Sequence, residues 1–312
     1  MSKYKHYLLN NGYKKIDLIS SSGNYSNIYK YRTTKNILTD NGILKKDTIV
    51  SIKIVDYNKL NNQEREYINN EIIAYKKIIN EYKSNNLCNK KQLNGIIKVY
   101  QLLNFDNYIF FIIENLDIDL VDFVYDFLYN DNLDNNNLLI ITEHIIYSIL
   151  NSVRCLNNIG IIHNDLKPEN IMIKFNNNNI FSVKIIDFNC VLFYNTGKKK
   201  CCSSKTIASP NLSDYVTGKK KTINYKSDLY SIGIIIYFIL SRGSYLFENS
   251  LNPKSIEYKK LDKIDKNASD LIKNLTNIDP IKRYSFDEIM KHKFLNLYNK
   301  NKKNLSKIKF II

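Results

Sequence analysis

No unbroken apolar run in this 312-residue chain is long enough to cross a bilayer. The longest such run, IGIIIYFIL at 232–240, is about half of the ~20 residues a spanning helix needs, and it reads as a buried helix. The first residues, MSKYKHYLLNNGYKK, lack the apolar centre of a secretory leader. Both absences predict an intracellular protein, not secreted and with no membrane partner. Cysteine is sparse. Cys88, Cys155, Cys190, Cys201 and Cys202 form no CxxC pair and no Cys/His spacing of a metal site. Adjacent Cys201 and Cys202 are poorly placed to pair with each other, and the set suits a reducing compartment. No internal repeat is visible, and NNNN at 176–179 reads as a low-complexity turn in a hairpin.

Acidic residues are the scarcer charge. There are 30 against 46 basic residues, a net charge of +16. Such an excess attracts anions: nucleotides, phosphate, acidic peptides or nucleic acid. The chain is also rich in Asn, Lys, Ile and Tyr, the residues of A/T-rich codons, so part of the charge reads as coding bias on a solvated surface. A nucleic-acid partner is unlikely on this pattern, because no aromatic residues interleave with the basic clusters in a binding motif. At 44% hydrophobic the chain can bury a large core, as one big domain or as two lobes.

The pattern changes along the chain. IDLIS, NIYKYRT and TIVSIKIVD, within 13–57, are β-rich and separated by Ser/Gly/Asn turns. Residues 63–82 form a charged helical pattern with apolar residues at 68, 72, 75 and 79. Two more strand-like runs follow, IIKVYQLLN and NYIFFIIEN. After Glu114 helical patterns dominate, beginning with DLVDFVYDFLY and LLIITEHIIYSILNSVRCL. Gly160 suits the end of the second of these. FSVKIIDFN at 181–189 is a short apolar run ending in an acid, and a Lys- and Ser-rich segment follows at 195–224.

The densest polar cluster is HNDLKPEN, inside IIHNDLKPENIMI at 161–173. Before it, in order, come a Ser/Gly turn (SSSGNYSNIY, 20–29), a strand lysine in VSIK (Lys53) and a helix glutamate, Glu71. After it comes IIDFN. This ordered set resembles the eukaryotic protein kinase family, over about residues 13–298. KSDLYSIG, with Asp228 as an inward acid and Tyr230 in a tryptophan place, and DPIKRYSFDEIMKHKFL at 279–295 are similar to the family's later motifs.

The resemblance implies an α+β, bilobal protein kinase-like fold: a small antiparallel β-sheet lobe with one main helix, and a larger, mostly helical lobe. It divides the chain into an N-terminal extension (1–12), a nucleotide-binding lobe (13–115), a catalytic lobe (116–298) with an activation segment at 187–211, and a basic tail (299–312). It implies ATP and Mg²⁺ as cofactors in a cleft shared by both lobes, and protein substrates phosphorylated on Ser or Thr. Asp165 would be the catalytic base or orienting group, and Lys167 would neutralise the transferring phosphate. A Lys at that place marks serine/threonine kinases. Asn170 and Asp187 would hold the metal. Lys53 would grip ATP phosphates and need an acidic partner, with Glu71 the best candidate and Glu64 and Glu66 a turn or two earlier. Ile19, Ser21, Gly23, Tyr25, Ser26, Ile28 and Glu114 complete the nucleotide site. His163 would support its loop structurally rather than act as a base, and Asp228 would brace it.

The chain departs from the family pattern at four places. Ser21, Gly23 and Ser26 stand where it has three glycines, and serine takes positive φ less readily. Asn189 replaces the glycine of the DFG motif, and Asn tolerates left-handed backbone best after Gly. Asn164 replaces the arginine that binds an activation-segment phosphate, so activity should not require phosphorylation at Ser203, Ser204 or Thr206. Asn211 replaces the acidic partner of Arg283. KKK at 198–200 and 219–221 reads as a preference for acidic substrates or as solvated loops. Cys190 either lies near the nucleotide, open to alkylation, or packs. The composition and the HND spelling are similar to kinases of large insect DNA viruses, of the baculovirus and entomopoxvirus types. An inactive scaffold of the same fold is the alternative function. A small-molecule phosphotransferase with an HxDxxxxN loop fits less well, given Lys167-Pro168 and the two later motifs.

Overall fold

A computed structural model describes residues 3–22, 26–129, 133–176, 181–194, 207–210, 212, 215, 223–247, 264–295, 305 and 308. The chain forms two compact units, residues 1–90 with 97–116, and residues 91–96 with 117–312.

The first unit is built on five strands. In chain order these are β1 (Tyr13–Ser22), β2 (Ser26–Thr33), β5 (Ile49–Asp56), β6 (Val99–Phe105) and β7 (Tyr108–Glu114). They lie in the order β1-β2-β5-β7-β6, each neighbour antiparallel. A small hairpin, β3 (Ile37–Thr39) and β4 (Gly42–Leu44), interrupts the run. The two-residue period of β5 sorts its side chains. Val50, Ile52 and Ile54 join Phe110, Ile112, Tyr31 and Leu8 in one buried cluster. Lys53 therefore turns to the other face, where Phe111 of β7 meets Tyr75 of α2 with ring centroids 5.5 Å apart.

Helix α2 (Asn62–Ser84) begins with a reciprocal cap: Asn61 accepts the Glu64 amide and Glu64 accepts the Asn61 amide. It ends where Asn85 turns left-handed at φ 49°. Within the N-terminal extension, helix α1 (Lys3–Asn10) packs on the apolar cluster. Tyr7 stacks on Phe105 at 4.4 Å, Tyr4 packs on Tyr108 at 4.7 Å, and Leu8 is fully buried. Burying that leucine contributes about 1.5–3 kcal/mol. The sequence MSKYKHYLLNN hid this, because tyrosines rather than aliphatics face the sheet.

The second unit is mostly helical, and the short α3 (Lys90–Leu93) leads into its segment 91–96. Helix α4 (Leu120–Phe123) continues into a π turn, followed by α5 (Asn135–Asn158), α6 (Lys226–Leu240), α7 (Lys266–Leu275) and α8 (Phe286–Met290). Gly160, at φ 78°, turns the chain out of α5. The IGIIIYFIL run lies in α6, as expected, and is almost entirely buried. Gly233 lets α6 approach α7 closely, since a Cβ there would come within 2.9 Å of Leu275 and Thr276. Helix α5 is long and apolar enough to cross a membrane by length and composition, but 67% of that window is buried inside the fold. Short strands carry the polar loops. They are β8 (Ile118–Asp119), β10 (Ile171–Phe175) and β11 (Phe181–Ile185) in one sheet, and β9 (Ile161–Ile162) with β12 (Leu192–Phe193) in another. Segment 91–96 belongs to this unit because the Gly95 carbonyl accepts the Ile185 amide and Ile96 bridges Ile185 in parallel.

Cys88, Cys155 and Cys190 are disulfide-bonded, which their linear spacing gave no sign of. Cys190 is thus not an alkylatable thiol, and it is 8% exposed.

Candidate active site

In the first unit, Lys53 and Glu71 meet. The Lys53 ammonium donates to both Glu71 oxygens at 2.9 Å, and the two side chains are 14% and 1% exposed. Glu71 is the partner rather than Glu64, which caps α2, because it lies two turns further along that helix on the buried face. Phe111 brings its ring to 5.6 Å from the Lys53 ammonium. Ile28 sits directly across from Lys53 in the β2–β5 ladder, and Ser26 at the start of β2 is buried. Ile19 on β1 is 48% exposed. Ser21 pairs with Asn27 across the β1–β2 hairpin. Gly23 and Tyr25 lie outside the described residues. The Glu114 carboxylate, at the end of β7, accepts the Lys98 amide at 2.6 Å.

In the second unit, the polar cluster folds into a tightly held loop between β9 and β10. Asn170 donates through Nδ2 to the Asp165 carbonyl at 2.8 Å and to its Oδ2 at 3.0 Å. The Lys167 ammonium reaches the same Oδ2 at 2.8 Å. Burial works to lower the Lys167 pKa. The Asp165 hydrogen bond and the charges of Asp165, Glu169 and Asp187 outweigh it, and the net shift is upward. Lys167 is therefore charged at neutral pH.

Asp228, fully buried near the start of α6, accepts the amides of His163 and Asn164 at 2.9 and 2.8 Å. Burial pushes its carboxyl pKa up, opposed by His163 and by those two amides. His163 is structural, as expected. Its Nε2 donates to the Ile186 carbonyl at 2.9 Å, its Nδ1 lies 3.4 Å from the Asp165 amide, and its ring packs on Phe188 at 5.1 Å. A carbonyl can only accept, so the partners assign the proton to Nε2.

Two of the four departures take a form the sequence did not foretell. Asn189 is not the left-handed residue of its turn; Asp187 is, at φ 61°. The other left-handed residue of the site is Asn164, at φ 67°, and its Nδ2 donates to the Cys190 carbonyl at 3.1 Å. Asparagine in the arginine place thus supplies both an unusual backbone turn and a link to the segment after Phe188. Arg283 is 1% exposed, with burial lowering its pKa to about 10. It donates to the Asn277 carbonyl at 3.1 and 2.8 Å and to the Lys226 carbonyl, and Tyr230 offers its ring at 5.0 Å. Asn211, Ser203, Ser204, Thr206 and both KKK clusters lie outside the described residues.

The residues present suit a hard divalent cation. Asp187 Oδ1 is sealed from solvent and accepts no hydrogen bond. Asn170 spends its Nδ2 on Asp165, which leaves its amide oxygen as the acceptor. A carboxylate and a carboxamide oxygen are the donor types Mg²⁺ takes.

Residues 23–295 match the protein kinase domain. Among curated proteins, the chain is similar to the probable serine/threonine-protein kinase fhkA of Dictyostelium discoideum, 28% identical over 262 residues, 68% of this chain and 43% of that protein. It is 29% identical to an Aurora kinase of Eremothecium gossypii over 166 residues, 50% of this chain and 42% of that one. It is 30% identical to calcium-dependent protein kinase 27 of Arabidopsis thaliana over 162 residues, 48% and 32% of the two chains. The matches span less than half the length of these relatives. They come from an amoeba, a fungus and a plant, and nothing in them indicates a viral flavour. With the domain match running from the Ser/Gly turn to the end of the 279–295 motif, and the paired Lys53–Glu71 and braced Asp165 inside it, the chain belongs to the protein kinase family.

Proposed function

We propose that the chain is an active serine/threonine protein kinase, transferring the γ-phosphate of ATP to Ser or Thr hydroxyls of protein substrates. The observation that carries this is the Asp165 carboxylate, fixed by Asn170 and Lys167 on a loop that Asp228 braces from beneath. A carboxylate held this way orients an attacking hydroxyl and takes its proton as the bond to phosphorus forms. Lys167 carries positive charge to the same point, where the transferring group's negative charge must be offset. Lys53, held by Glu71, would bind the α- and β-phosphates. Asp187 and Asn170 would hold Mg²⁺, which when bound neutralises phosphate charge. Relatives named as serine/threonine kinases support the hydroxyl specificity, as does Lys at 167.

An intracellular location would supply the ATP this chemistry needs, while the disulfide-bonded Cys88, Cys155 and Cys190 argue against the reducing compartment expected from the sequence. The preference for acidic substrates rests on basic clusters outside the described residues. Glu169 and Asp119 stand near the Tyr245 hydroxyl, whose pKa burial, with their help, raises to about 12.

The second reading is an inactive scaffold, favoured by serine at two of the three phosphate-loop glycine places. Incubation of the full chain with labelled ATP and Mg²⁺, on acidic and basic protein substrates, decides between them. Transfer by the parent and none by Asp165→Ala supports the kinase. ATP binding without transfer supports the scaffold, and equal transfer by both proteins removes Asp165 from the catalytic role.

A further inference from the structure

We infer that the Asn189 side-chain oxygen is an additional ligand for the divalent cation, beside Asp187 and Asn170. This rests on the kinase reading of Asp187. Two oxygens of the same short turn, Asp187 Oδ1 and Asn189 Oδ1, are both sealed from solvent and both accept no hydrogen bond. An unsatisfied buried acceptor is costly, and folded proteins rarely keep one without a reason. In this turn two stand two residues apart.

The side-chain donors nearest in sequence each make a bond elsewhere. His163 Nε2 is on the Ile186 carbonyl, Asn164 Nδ2 on the Cys190 carbonyl, and Lys167 on Asp165. The fully buried Phe188 ring, packed on His163, fixes the turn between the two oxygens. A single cation would satisfy both at once, whereas one water supplies only two hydrogens and needs acceptor partners of its own. A carboxamide oxygen is a hard, neutral ligand of the kind Mg²⁺ and Mn²⁺ accept. The glycine that the family pattern places at this position has no side chain to offer. The substitution in this chain thus adds an oxygen to the metal shell rather than merely tolerating the loss of glycine.

The test uses Mn²⁺ as the probe, titrated into the full chain with ADP and followed by electron paramagnetic resonance. Asn189→Gly should weaken Mn²⁺ binding by about tenfold, the lower end of what losing a metal-shell partner costs. Asn189→Asp should bind at least as tightly as the parent. Metal-free ADP binding, read by displacement of a fluorescent nucleotide, should be unchanged in both and shows that the fold is intact. Asn189→Gly with parental Mn²⁺ affinity, while Asp187→Ala loses it, overturns the inference and leaves the kinase reading standing. Equal Mn²⁺ affinity in the parent and Asp187→Ala overturns both.

Discussion

The Asp228 carboxylate accepts the backbone amide of His163 at 2.9 Å, from a residue 65 positions away in the chain. Its other oxygen holds Asn164 at 2.8 Å. The catalytic loop is thus hung from the buried end of α6. Asp228→Ala leaves two buried amides without acceptors, at about 1–3 kcal/mol each. Urea unfolding should show a loss of that size. Asp228→Asn keeps one carbonyl oxygen and should lose less. Equal stability of all three proteins would mean that the loop is held by other means.

Lys53→Met should reduce phosphoryl transfer by at least about a hundredfold, the scale of removing a positioned charge from a site of this type. Glu71→Gln should reduce it less, and should destabilise the first unit because a buried ammonium loses its carboxylate partner. Initial rates at saturating ATP, with thermal melts, separate the two effects. Full activity in Lys53→Met would remove that residue from the site.

Glu143 on α5 is 1% exposed, its Oε2 accepts no hydrogen bond, and burial, with help from the charge of Asp265, raises its pKa from 4.5 to about 7. The folded state therefore favours the protonated form. The stability this gives is complete below pH 4.5 and is lost as pH rises through about 7. Glu143→Gln should leave the melting temperature nearly unchanged at pH 5 and raise it at pH 8. Parallel pH profiles for the two proteins would show that Glu143 titrates normally.

Leu8→Ala should cost about 2–5 kcal/mol in unfolding free energy, the usual penalty for emptying a fully buried leucine site. The same change at half-exposed Leu9, 42% accessible, should cost much less. If both were neutral, α1 would not be part of the cooperative unit.

Much of the site was legible because its chemistry fixes residue types at fixed places. Lys53 interrupts an apolar strand, Asp165, Lys167, Asn170 and Asp187 stand in short polar runs beside apolar strands, and the structure gathers the last four within one unit. Glu71 was the best candidate of three glutamates on one helix, and the structure pairs it with Lys53. The left-handed turns at Asn164 and Asp187 were not legible. Backbone strain of this kind is set by the surrounding bonds, in this loop Asp228 to the two amides and His163 to Ile186. Glu143 did leave a signal. It sits among core positions 141, 142, 145 and 146 of α5, where a charge breaks the apolar pattern. The packing of α1 left almost none, for its buried face is largely tyrosine.

The setting of Arg283 has one more consequence. Its guanidinium is held by peptide carbonyls and an aromatic face. An arginine clasped by a glutamate lets go once acid protonates the glutamate; carbonyl dipoles carry no such proton. The bonds to the Asn277 carbonyl should therefore persist in acid, where the nearby Asp279 charge that also favours the guanidinium is lost.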